Sequence, residues 1–305
     1  MFDNAFVSPW PGALGAISER LVGCPTLLRA RRALFSRLPF MQLASDVRDI
    51  VYCTWAVDAA RIAALVPPNV ELVQRDGKTL FTILTYAHRH FGPALAGPLR
   101  RLFPSPLQSN WRFYVEAFGG VETTAPTVLF VKNILDDPLY AIGSRLFSDA
   151  LPSHLARRFA HRADDGRYVT SIESGRGSAP EFRCEAQRTP THALTPALAP
   201  FFETWESAVE WLCLQDGALS RVEDCERLAH ALIDLSISPP RKRWKQPPGP
   251  CKARFSNASA RPASLFVLSC PERRFGWCRS GWFRKTVRVR RRGSRRADQD
   301  DDRAA

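Results

Sequence analysis

The stretch Trp111 to Ala117 sets three chemically distinct polar groups at alternate positions, Arg112, Tyr114 and Glu116. On a β-strand, side chains two apart share a face, so these three line one side while Trp111, Phe113 and Val115 line the other. A guanidinium presents a planar fork to a carboxylate, a phenol donates a hydrogen bond, and Glu116 is the row's candidate for moving a proton. If the sheet curls around a cavity, the row suits a carboxylate or an enol-type ligand. If the sheet is half exposed, the same row faces solvent.

Other groupings carry weaker chemistry. His88-Arg89-His90 puts two imidazoles at the spacing of a two-histidine metal site, but no third ligand is identifiable and no metal is expected. Gly175 to Ser178 offers backbone amides that could nest a phosphate, without the flanking residues of a phosphate-binding loop, and reads more simply as a turn. Asp136 and Asp137, just before Pro138, fit a helix cap better than a pair of catalytic carboxylates. No G-x-S-x-G elbow, C-x-x-C pair or dinucleotide fingerprint occurs, so no cofactor is expected.

The elements that must hold these residues are mostly short strands. Residues Gly15 to Leu38 read as an amphipathic helix with arginines between its apolar positions, bent or divided at Pro25. Such a helix either packs on the domain with a solvated basic face or lies on a membrane surface. Asp49 to Ala56 predicts a strand, Asp58 caps a short helix that ends at Pro67-Pro68, and Asp76-Gly77 marks a hairpin between Val70–Gln74 and Lys78–Tyr86. Further strands are expected at Trp111–Ala117, Thr127–Ile134, Arg167–Ser174 and Phe182–Glu185. Helices are expected from Pro138 to about Phe147 and from Glu203 to Leu214, the latter closed by Asp216-Gly217. Strands and hairpins outnumber helices, which predicts an α+β domain on an antiparallel sheet.

A chain of 305 residues with 45% apolar and 24% charged residues buries a substantial core and is neither disordered nor fibrous. Its net charge of +13 is localised: Arg241 to Ala305 holds 19 basic against 5 acidic residues, leaving 24 against 25 in the rest. That stretch mixes Arg, Pro, Ser, Cys and Trp without helical or alternating period. The body is rich in arginine and nearly free of lysine, as a GC-rich gene would make it. Residues 241–305 are therefore expected to be a disordered or frameshift-derived tail, and the alternative is a basic arm that binds nucleic acid. The expected organisation is an N-terminal helical extension at 1–45, a domain at 46–240, and this tail. With no signal-peptide core, no transmembrane segment and no disulfide framework, a cytoplasmic protein with reduced thiols is expected.

Three stretches carry a resemblance. Val51 to Pro68, with its strand, short helix and Pro-Pro turn, is similar to the opening of the YqjF-like proteins, a conserved domain of unknown function. Ser109-Asn110-Trp111-Arg112-Phe113-Tyr114-Val115 resembles that family's N-x-R-x-Y-V strand, and Ser174 to Pro180 agrees in order and position. The resemblance runs from about Asp46 to Leu235, where the family continues with helix and strand and this chain departs. It implies the acetoacetate decarboxylase-like superfamily: a strongly curved antiparallel sheet, cone- or barrel-like, with helices outside and a ligand cavity within. The superfamily's named enzyme works through a lysine Schiff base. By that resemblance Lys132, on the apolar strand Val128 to Asn133, is the candidate nucleophile, needing Arg112 or Arg145 nearby. The expected function is binding of a small carboxylate or oxo acid on Arg112, Tyr114 and Glu116, with Asn110 positioning the strand. Catalysis, if present, would be decarboxylase-like.

Overall fold

Proline and acidic caps set the ends of the first elements. The computed structural model describes residues 4–35, 43–187, 193–222, 224–225 and 227–233, and the backbone of two strands at 264–267 and 273–277. Helix α1 (Ala13–Gly23) breaks at Cys24, and α2 (Pro25–Phe35) restarts with proline in its first position, where a missing N–H costs nothing. After β1 (Leu43–Asp58), the Asp58 carboxylate accepts the N–H of Ala60 at 2.9 Å and starts α3 (Ala59–Ile62), which ends in a 3-10 turn before Pro67-Pro68. Strands β2 (Val70–Leu72) and β3 (Gln74–Arg75) lead to Asp76-Gly77, both left-handed at φ 50° and 72°, which folds β3 onto β4 (Lys78–Pro93).

A 3-10 segment (Ala94–Leu102) then joins β4 to β5 (Leu107–Phe118), followed by β6 (Val121–Leu135). Asp137 accepts the N–H groups of Leu139 and Tyr140 and opens α4 (Pro138–Phe147), as its sequence predicts. The chain continues through β7 (Ser153–Leu155), β8 (Arg158–Asp164), β9 (Arg167–Glu173), β10 (Phe182–Gln187), α5 (Trp205–Cys213), β11 (Gly217–Val222), β12 (Arg227–Leu232), β13 (Ser264–Val267) and β14 (Arg273–Trp277).

The large sheet runs β12-β11-β6-β5-β4-β1-β13, with β2, β3, β7 and β14 paired on its members. It is mainly antiparallel, although β7 and β11 both run parallel to β6. A separate antiparallel sheet, β10-β9-β8, covers one face. There Val51, Trp55, Ile83, Trp111, Phe113 and Leu129 pack with Tyr168, Ile172 and Phe182, and the thiols of Cys53 and Cys184 meet across the two sheets at 3.5 Å. Against the opposite face lies α5, whose Trp205, Val209 and Leu212 cover Tyr52, Leu84, Tyr114 and Phe130. Each large side chain so buried contributes about 1.5–3 kcal/mol.

Two local expectations differ from the structure, and one strand is not foreseen from the sequence. Gly217 does not close α5 but begins β11, lying so close to β6 that a Cβ there would meet the Thr127 hydroxyl at 2.8 Å. Strand β8 is mostly exposed and lacks the apolar alternation that would mark it. In the N-terminal helices Leu14, Ile17, Leu21, Leu27 and Leu34 are exposed alongside Arg20 and Arg29, while Arg31 and Arg32 turn toward the body. Among the described residues no helix is long and apolar enough to cross a membrane. Of 241–305 the described part is β13 and β14, both on β1, so the expectations of a disordered, frameshifted or nucleic-acid-binding tail fall largely outside the described residues.

Candidate functional site

The face beneath α5 is polar at its centre. Register places Arg112 of β5 opposite Thr82 of β4, which lies opposite Thr54 of β1, while Asn110 pairs with Leu84 and, on its other side, with Asn133. Arg112 is only 3% exposed and Tyr114 fully buried. The Arg112 Nη2 donates to the Leu212 carbonyl at the end of α5 (2.9 Å), and the Tyr114 hydroxyl donates to the same oxygen (3.2 Å). Tyr114 and Thr82 hydroxyls lie 3.0 Å apart, and Thr82 and Thr54 hydroxyls 2.9 Å apart. The guanidinium carbon sits 5.4 Å from the ring centre of Tyr52 and 5.6 Å from that of Tyr114.

What this guanidinium lacks is a counter-charge. The groups acting on it are Tyr114, Tyr52 and Cys213, no described carboxylate pairs with it, and its Nε has no hydrogen-bond partner. Burial disfavours its charge; its pKa is raised only against Tyr114 and Tyr52 in their ionised forms, which are absent at neutral pH. Burial in turn pushes the Tyr52, Tyr86 and Tyr114 phenols upward, so at neutral pH all three are uncharged donors.

A hydrogen-bond chain continues from this centre. Asn110 Nδ2 donates to the Tyr86 hydroxyl (3.2 Å), and Gln108 Nε2 donates to the side-chain carbonyls of Asn110 (2.9 Å) and Asn133 (2.8 Å). With its amide nitrogen so engaged, Gln108 presents Oε1 to His88 Nε2 at 2.5 Å, which assigns the proton to that nitrogen and leaves Nδ1 to accept from Ser45 at 2.7 Å. Burial lowers the His88 pKa to about 4, with the Gln108 bond opposing. Asn110 thus holds Tyr86 in place beside Arg112, a positioning role through hydrogen bonds.

Glu116 does not join its row. A bulge between Val115 and Ala117 breaks the alternation and leaves its side chain exposed. Lys132 is separated differently. A second bulge, between Trp111 and Arg112, sets Lys132 opposite Trp111, on the face turned away from Arg112. There its Nζ lies 3.1 Å from His154 Nε2, which Arg145 Nη2 also approaches at 3.3 Å, while His154 Nδ1 meets the Ser178 hydroxyl at 2.6 Å. Burial, then the charges of Lys132 and Arg145, hold the His154 pKa well below the ordinary value. Of the two arginines named beside Lys132 in the sequence, the structure brings Arg145 close and puts Arg112 across the sheet.

The remaining candidates resolve into structure. His90 adopts a left-handed φ of 52°, so the two imidazoles of His88-Arg89-His90 do not share a face, and His90 turns to Asp46. Among the described residues no three ligand-type side chains gather around a metal-sized space. The Gly175–Ser178 loop binds the N-terminal segment: Ser178 N–H donates to Val7 O (3.1 Å) and Val7 N–H to the Ser178 hydroxyl (2.9 Å). Asp136 accepts the Leu107 N–H at 2.8 Å, and burial raises its pKa. The sequence reading missed Tyr52, Tyr86 and His154. Tyr52 and Tyr86 carry a legible signal, since strand pairing of their alternating segments with β5 would put them on the Arg112 face. His154, on a three-residue strand, has none.

Residues 45–214 match the DUF2071 family, described as an uncharacterized conserved protein. No curated protein matches the chain. Among solved structures, an acetoacetate decarboxylase from Legionella pneumophila subsp. pneumophila str. Philadelphia 1 is similar at TM-score 0.50 and 11% identity, over 78% of this chain and 86% of that one. The enduracididine biosynthesis enzyme MppR with HEPES bound is similar at TM-score 0.46 and 13% identity, over 78% and 85%. Its complex with pyruvate gives TM-score 0.44 and 12% identity, over 78% and 88%. The Legionella likeness makes the fold acetoacetate decarboxylase-like and extends no further than the fold. With more than half its length matched, the chain belongs to the DUF2071 family of uncharacterized conserved proteins.

Proposed function

We propose that this protein binds a small carboxylate or oxo acid on the sheet face beneath α5, with Arg112 as its anion anchor. The observation that carries this is a buried guanidinium with no described carboxylate partner and an orphaned Nε. A lone buried charge costs several kcal/mol unless an opposite charge and hydrogen bonds meet it. A bound carboxylate supplies both, and the neutral phenols of Tyr52 and Tyr86 supply donors for a neighbouring carbonyl or enol oxygen. Asn110 belongs to the site through Tyr86. Exposed Glu116 lies outside it.

Thermal unfolding of the full chain with acetate, pyruvate and acetoacetate tests this. At least one is expected to raise the midpoint, and Arg112→Met to abolish the rise. No rise with any of the three, or an undiminished rise in Arg112→Met, would overturn the reading.

A second reading places covalent chemistry on Lys132 and is favoured by the meeting of Lys132 and Arg145 on one imidazole. A second cation near an amine favours its neutral, nucleophilic form. The amine would add to the ketone carbon of a 3-oxo acid and expel water to form an imine. Borohydride would reduce that imine to a secondary amine visible as added mass. An adduct lost in Lys132→Ala supports this reading, and no adduct refutes it. Because Lys132 and Arg112 occupy opposite faces, the two readings concern different sites and fail separately.

A further inference from the structure

Helices α1 and α2 are turned inside out relative to core-packing helices. The residues of α1 that face the body are Gly15, Ser18 and Val22, at helical spacing and mostly small or polar. Gly15 lies so near the Trp10 carbonyl that any side chain there would collide with it. Glu19 accepts the Ser8 N–H at 2.9 Å and faces Arg176 at 3.4 Å. Helix α2 is held by charge: Arg31 and Arg32 both meet Asp149, and Arg32 also meets Asp224. Five of the larger apolar residues are exposed. Leu14, Ile17 and Leu21 of α1 are 78%, 59% and 41% exposed, and Leu27 and Leu34 of α2 are 40% and 59% exposed. Exposed Phe147 extends this surface beside Phe35, with ring centres 5.9 Å apart.

A helix buries its apolar stripe when it packs on its own domain. Here that stripe is left over after attachment is complete, and exposed apolar side chains gathered on two packed helices are of the kind that marks an interaction site. Charge chooses between partners. Arg20 and Arg29 are exposed on the same two helices, and the only acid on those helices, Glu19, is engaged on the body side. Exposed leucines together with exposed arginines that no acid on these helices opposes match an anionic lipid surface, the leucines entering the acyl boundary and the guanidinium groups meeting headgroup phosphates. We propose that the α1–α2 hairpin docks the protein on an anionic membrane face. This stands independently of the ligand site beneath α5.

The test is cosedimentation of the full chain with vesicles of phosphatidylglycerol and phosphatidylcholine in equal parts, and of phosphatidylcholine alone, at 0.15 M and 0.5 M salt. Preferential binding to the anionic vesicles is expected, with a component that survives 0.5 M salt, where purely electrostatic attachment is screened. Leu14→Ser/Ile17→Ser/Leu21→Ser is expected to lower partitioning by about tenfold or more. Arg20→Ser/Arg29→Ser is expected to lower it about thirtyfold at 0.15 M salt, each arginine near the surface being worth roughly fivefold. All five substitutions are on exposed positions, and circular dichroism is the check that the variants fold. The proposal is overturned if the triple-serine variant binds as the parent does, since the basic stretch 241–305 would then carry the binding. It is equally overturned if no vesicles bind and light scattering shows a dimer that the same variant dissociates, since a second copy would then cover the leucines.

Discussion

Replacing Arg112 by methionine should make the unliganded protein more stable, the reverse of what removing a well-hydrogen-bonded core residue ordinarily does. Methionine follows the stem of the arginine side chain and adapts to irregular space. What is lost is one charge-assisted hydrogen bond to Leu212, about 1.5–3 kcal/mol, and ring contacts with Tyr52 and Tyr114, about 1–2 kcal/mol. The Leu212 carbonyl is not orphaned, because Tyr114 still donates to it. What is relieved is the desolvation of a lone guanidinium, several kcal/mol, and the unpartnered Nε, about 1–3 kcal/mol. The balance favours the variant by about 1–3 kcal/mol, or a midpoint about 5 °C higher. With a carboxylate at a hundred times its Kd the order reverses: the parent gains about 2.7 kcal/mol and the variant nothing. Thermal unfolding of both proteins, with and without ligand, reads all four values. A variant destabilised by more than about 2 kcal/mol that keeps its carboxylate response would show that Arg112 is a strut for α5, and the argument from uncompensated charge would fail.

Other outcomes follow from the same physics. His88 titrates near 4 in the fold against about 6.5 when unfolded, so the unfolded chain binds the extra proton between those values. Stability is therefore complete above pH 6.5 and falls by about 3 kcal/mol as pH drops to 4; His154 and His161, also lowered, add in the same direction. Urea titrations of His88→Gln should show a shallower loss over this window, and an unchanged slope would remove His88 from the account. Asp149→Ala strips the shared acid from Arg31 and Arg32, of which Arg31 is nearly buried, and should cost about 3 kcal/mol while making α2 an early site of limited proteolysis. Gly177→Ala would bring a methyl group to 3.0 Å from the Pro9 nitrogen and 3.1 Å from the Ser174 carbonyl. It should cost about 1–2 kcal/mol by pushing the N-terminal segment off the loop, seen as faster amide exchange at Val7 and Ser178.

Much of this architecture is legible from local chemistry, because local chemistry decides it. Asp58, Asp137 and Asp76-Gly77 each act within a few residues, and the elements they begin or turn are where their types require. The Arg112–Tyr114 face is likewise readable from alternation. Alternation alone does not say that α5, a hundred residues later, covers that face and converts it from solvent-facing to buried. Two bulges in the β5–β6 ladder then reassign Glu116 and Lys132, and a single extra residue in a ladder leaves no periodic mark. The inversion of α1 and α2 is hidden for a related reason. Periodicity reveals which residues share a stripe, while ion pairs with Asp149 and Asp224 decide which stripe of α2 turns inward.

Strand β1 is bonded to β4 along most of its length, and its other edge is occupied by β14 at Leu43–Val47 and β13 at Val51–Thr54. Any truncation before Ser264 would uncover that edge as a long row of unpaired N–H and carbonyl groups. Such a row recruits strands from other molecules. A shortened expression product would thus be prone to edge-to-edge association at β1, and a short soluble peptide able to add as an antiparallel strand there would act as its solubilising chaperone.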